Sequence, residues 1–86
     1  MKRLSIRDFV TQYPINRRLL VMRHTVNYSY SDKILAQHVF GNIDADTWYL
    51  AFRYFSYDGH IDLESCHVLV GDVQTLYNIY RACCEN

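Results

Sequence analysis

Residues 48–57 read Trp-Tyr-Leu-Ala-Phe-Arg-Tyr-Phe-Ser-Tyr, and six of these ten are aromatic. Such a run suits a pleated, half-buried surface, which predicts a strand over Thr47–Tyr57. Successive side chains of a strand point to opposite faces. Trp48, Leu50, Phe52 and Tyr54 therefore share one face, and Tyr49, Ala51, Phe55 and Tyr57 the other. Both faces are apolar, so the fold has to keep water from both sides of one strand. Asp58-Gly59 follows directly, and a second run with strand character, His60–Val70, comes after it. An Asp-Gly pair between two such runs is the strongest short-range hairpin signal, because the favoured tight turn needs positive φ at both turn residues.

Helical spacing brackets this region. Ile6, Phe9, Val10 and Tyr13 recur at one helical face, Ser5 and Asp8 are placed as an N-terminal capping pair, and Pro14 stops the helix. Val73, Leu76, Tyr77, Tyr80, Cys83 and Cys84 repeat the pattern behind Asp72, a good N-cap. Arg18–Tyr28 alternates as a strand, and residues 28–32 read as a turn. Residues 33–40 fit a helix capped by Ser31 and closed by Gly41, or a strand pairing back on the first; the strand is favoured. The expected fold is a single α+β domain over residues 1–86, small and two-layered. It has an N-terminal helix, an antiparallel meander of three or four strands and a C-terminal helix, with both helices on one sheet face. An all-α chain is the alternative, since Trp48, Ala51, Phe52 and Phe55 also share a helical face.

The chain has 86 residues and thirteen aromatics, and half of it is hydrophobic. Each aromatic buries on the order of 150–250 Å², enough for a core without metal or disulfide. Thirteen exceed what so small an interior needs, so some tyrosines are expected at the surface. The basic start, Met1-Lys2-Arg3, leads into no apolar run, and no stretch nears the ~20 apolar residues of a membrane span. Three cysteines, Cys66, Cys83 and Cys84, are an odd number with an adjacent pair, which predicts free thiols in a reducing cytoplasm. Net charge is zero but segregated: residues 1–43 carry a net of five positive charges and residues 44–86 five negative. Internal pairing of the halves is the simpler reading, and a charged patch for a partner is the other.

No catalytic or cofactor pattern stands out. His60, Asp62, Glu64, Cys66 and His67 include metal-ligand types, but alternation points His60, Asp62 and Glu64 to one side as a solvated strand face, and no paired zinc motif exists. Residues 51–61 lack the anionic oxygens that a calcium loop needs. Cys66 and His67 are neighbours that a strand sends to opposite faces, and Cys83 and Cys84 end a helix, whose dipole disfavours a thiolate. His24 and His38 read as core or interface histidines. The three glycines are isolated, so no loop cradles phosphate.

The expectation is a non-enzymatic regulator or inhibitor that docks on a larger protein, of the type that phages and mobile elements encode, with no cofactor, metal or small-molecule substrate. Candidate contact residues are Arg17, Arg18, Arg23, Tyr28, Tyr30, Tyr49 and Tyr57, because arginine and tyrosine are favoured interface anchors. The same arginines and tyrosines support the alternative, an RNA or single-stranded DNA binder. Two short helices on one face would leave aromatics bare on the other, which points to a homodimer or a heteromeric complex.

Overall fold

The computed structural model describes residues 1–13, 23–60 and 65–84, with backbone alone for Arg23, His24 and Cys84. Seven elements follow in order: β1 (Lys2–Leu4), α1 (Ile6–Gln12), β2 (Arg23–Ser29), β3 (Ile34–Asn42), β4 (Trp48–Ser56), β5 (His67–Gly71) and α2 (Val73–Cys84). The strands form one antiparallel sheet in the order β1-β5-β4-β3-β2. The α+β class therefore holds, and the all-α alternative falls. Residues 33–40 are strand, pairing back on β2 as favoured. The described strands number five, because Lys2–Leu4 adds an edge strand against β5 that three residues are too short to announce.

The two helices do not share a face. Tyr49 and Ala51 pack with Leu4, Phe9, Val68 and Val70 beneath α1. Leu50 and Phe52, their neighbours on β4, pack with Phe40 and Leu76 beneath α2. Alternation along β4 sends these sets to opposite sides, so each face has its own helix and the layers are three rather than two. The physical reason lies in β4 itself: it is the central strand and apolar on both sides. The first part of its aromatic run is covered from within the chain, with Tyr49 at 4 %, Leu50 at 0 % and Phe52 at 6 % exposure, whereas Phe55 is half-buried and Tyr57 is exposed at its end.

Local chemistry explains the element ends. Ser5 caps α1 by accepting from the Asp8 amide at 3.0 Å. Asp72 does the same for α2, accepting from the Thr75 amide at 3.0 Å. In both helices the buried stripe is rotated from the expected one. Val10 is exposed on α1, Val73 and Tyr77 are exposed on α2, and Ile79 joins the core instead. The Asp58-Gly59 turn is present, with Gly59 at φ +95° and its amide bonded to the Ser56 carbonyl at 2.9 Å. Asp58 keeps negative φ, so the turn is not the two-residue type that was expected. The described part of the second arm is strand only from His67, and residues 61–64 of the expected run lie outside the described residues.

Candidate functional site

The end of the sheet where β2 meets β3 and β4 leaves it is rich in tyrosine and serine. Two loops lie side by side there. Tyr30-Ser31-Asp32-Lys33 joins β2 to β3, and Tyr57-Asp58-Gly59-His60 leaves β4. Antiparallel register brings them together, because Ile34 pairs with Ser56 and Ser29 with Leu35. The Tyr57 amide donates to the Lys33 carbonyl at 3.3 Å, and the Ser29 and Tyr57 hydroxyls share a hydrogen bond of 2.8 Å. Each loop is also tied to itself. Tyr30 and Ser31 amides both donate to the Ile34 carbonyl, and the Ser56 amide donates to the His60 carbonyl at 2.7 Å. Asp58 accepts from the Ser56 hydroxyl and contacts the His60 ring at 3.0 Å. Those contacts hold its carboxyl below the usual carboxylate range, the Ser56 hydroxyl contributing most.

Tyr30 and Tyr57 stand out from these loops at 61 % and 54 % exposure. Tyr30 leans edge-on against Tyr54 with centroids 5.4 Å apart. Beside this contact a cleft of about 230 Å³ is lined by Tyr30, Ile34, Tyr54, Ser65 and His67. A more open hollow of about 360 Å³ lies between the loops, lined by Asp32, Lys33, Ser56, Tyr57 and Asp58. Burial raises the Tyr54 phenol above its ordinary pKa, with smaller contributions from Tyr30, Cys83 and Cys66. The backbone behind Tyr54 is held unusually. The β4–β5 ladder ends at Phe52 and His67, and beyond it the buried Cys66 thiol takes the place of a strand. Its sulfur accepts from the Tyr54 amide at 3.2 Å and donates to the Tyr54 carbonyl at 3.6 Å.

The expected contact residues are only partly gathered here. Tyr30 and Tyr57 are at the tip, and Tyr28 lies on β2 with its ring 5.2 Å from that of His38. Tyr49 is corrected: it is a core residue packed on Phe9 at 5.2 Å, because the central strand faces α1 there. Arg17 and Arg18 lie outside the described residues, as do Asp62 and Glu64 of the metal-type cluster. Arg23 begins β2 opposite Gly41. At ~3.3 Å per strand residue this is about 20 Å from the tip, so the Arg–Tyr patch is not assembled around Arg23. Tyr54, Ser65 and His67 were missed as site residues; only register could have placed them beside Tyr30. Among the described residues no three His, Cys, Asp or Glu side chains are grouped to hold a metal. No described helix is long and apolar enough to cross a membrane. Compared with protein-family models, with curated proteins and with solved structures, the chain matches none, so the tip is read from its own geometry.

Proposed function

We propose that the protein is a non-enzymatic binding module that docks on another protein through its tyrosine tip. The observation that carries this reading is the pair Tyr30 and Tyr57, both more than half exposed, on two adjoining loops held by their own serine and aspartate hydrogen bonds. Tyrosine offers large, amphipathic contact area at low entropic cost, and serine offers adaptable hydrogen bonding, the combination that dedicated binding loops use. The adjoining cleft is below the ~300–1,000 Å³ of drug-sized ligand sites, so it suits one inserted side chain better than a substrate. Asp32 and Asp58 beside Lys33 oppose binding of a polyanion at this end.

The test compares capture from cell extract by the wild type, by Tyr30→Ala/Tyr57→Ala and by Tyr77→Ala, which alters an exposed tyrosine on α2. A protein retained by wild type and Tyr77→Ala, and weakened about thirty-fold or more by the double variant, is the expected result, since even one interface anchor is worth ~2 kcal/mol or more. Retention of nucleic acid alone, or a partner indifferent to the tip, overturns the reading. A second copy of the chain as the partner would show in sedimentation of the purified protein.

A further inference from the structure

His38 lies on β3, directly across from Val26 of β2 and Phe52 of β4. It is 1 % exposed, and neither ring nitrogen has a hydrogen-bond partner among the described residues. Its neighbours are rings: Phe52 at 4.7 Å edge-on, Tyr28 at 5.2 Å and Tyr54 at 6.5 Å, again edge-on. His67 of β5 stacks on the same Phe52 at 4.5 Å and 11°. Two imidazoles thus contact one phenyl ring, one of them buried and the other lining the cleft.

A neutral imidazole has one donor and one acceptor, whereas an imidazolium has two donors and a charge. A buried charge is tolerated only when paired. Among the described residues no pairing group is at hand, because β1 to β5 and α2 contain no aspartate or glutamate. The titratable groups facing His38 from packed elements are the Tyr28 and Tyr54 phenols and His67, and α2 contributes the Cys83 thiol to the same cluster. The backbone of His24 on β2 pairs with Phe40, the next position along this row. None of these groups is an anion at neutral pH.

We propose that His38 is an acid-operated release for the tyrosine tip: its protonation breaks the ring cluster of Tyr28, Phe52 and Tyr54 and remodels the cleft that Tyr54 and His67 line. Burial, and secondarily the charge of His67, push the His38 pKa below the ordinary histidine value. The sign follows. Unfolded or opened, His38 takes a proton near pH ~6.5; packed, it resists until lower pH, so the open form binds more protons and gains as pH falls. One proton sets the limit at about a tenfold rise in the open population per pH unit. The α1 side, with Leu4, Phe9 and Tyr49, contains no histidine and stays closed.

The device concerns the protein alone and holds whether or not the tip docks on a partner. The experiment is an NMR titration from pH 7.5 to 5 that follows the His38 ring and the ring signals of Tyr28, Tyr30, Tyr54 and, as internal control, Tyr49. The expected result is a change of Tyr28, Tyr30 and Tyr54 that tracks a His38 midpoint below ~6.5, with Tyr49 unmoved. His38→Phe, which keeps a ring and removes the proton site, abolishes the change, and His67→Phe raises the midpoint. A tip change that persists in His38→Phe overturns the proposal. Should that variant fail to fold, the wild type decides: a His38 ring that titrates with no response from Tyr28 or Tyr54 overturns it equally.

Discussion

Single residues carry tightly defined constraints in this sheet, and Gly41 shows the kind. It pairs with Tyr49 across β3 and β4, and the Tyr49 ring lies over it. A Cβ at Gly41 would meet the ring at 2.9–3.0 Å, closer than packing allows. The ring cannot swing aside, since Phe9 holds its other side and the position is 4 % exposed. Gly41→Ala should therefore cost about 1–3 kcal/mol by overpacking, read as a lowered urea midpoint at constant slope. Gly59 tests a different cause. Nothing lies within 4 Å of its missing Cβ, but φ is +95°. Gly59→Ala should cost about 1 kcal/mol through the backbone alone. A Gly41→Ala protein as stable as wild type would show that the Tyr49 ring is not held as described.

The helices act as separate covers, and each is fastened by one buried anchor and one cap. On α2 the anchor is Leu76, wholly buried against Phe40, Leu50 and Phe52. Phe40 extends this contact by stacking on Trp48 and Tyr80 at 5.0 and 5.5 Å. Leu76→Ala should destabilise by about 2–5 kcal/mol, whereas Val73→Ala, on the exposed side, should stay within ~0.5 kcal/mol. On α1, Ser5→Ala removes the cap and should cost about 1 kcal/mol, measured in the same denaturation series. The α2 cap also has a pH signature. The Thr75 amide and hydroxyl hold the Asp72 carboxyl below its usual range. A depressed carboxyl stabilises at pH above its unfolded value of ~3.9, and the contribution is lost as pH falls through the lower folded value. Acid should thus act in two windows, first at His38 from pH ~6.5 downward and then at the helix cap below ~4.

At the scale of the molecule, the first strand joins the sheet beside a strand more than sixty residues away in sequence. β1 pairs with β5, Lys2 opposite Val70 and Leu4 opposite Val68, and this shields one edge of β5. Leu4 is buried with Phe9 and Tyr49 beneath α1, so β1 is part of the core rather than an appendage. Leu4→Ala should cost about 2–4 kcal/mol and lower the thermal midpoint, and an unchanged midpoint would show that β1 is dispensable. The opposite charges of the two halves contribute less. Among the described residues the acids sit in loops and on α1, and the contact of Asp58 with the His60 ring lies within the acidic half on an exposed loop. Raising salt from 0.15 to about 1 M should shift stability by less than ~1 kcal/mol, checked by denaturation at both strengths.

What the sequence determined by itself was local: a helix starts where Ser5 or Asp72 meets the first unpaired amides, Gly59 takes the positive φ of its turn, and an aromatic run at period two is a strand. These depend on residues within one turn of each other, so their signals are contiguous. The antiparallel order of β2, β3 and β4 also followed, because short connections leave neighbours little choice. The tertiary structure alone decided the rest. Which helix covers which face of β4, the recruitment of Lys2–Leu4 to the far edge, and the burial of Tyr49 rest on contacts between residues more than twenty positions apart. The tip arose in the same way, since Tyr30 touches Tyr54 and His38 reaches His67 through Phe52 only once register has aligned three strands. A one-residue slip in any strand would turn every side chain of that strand to the other face, and nothing local to one strand sets the register of another.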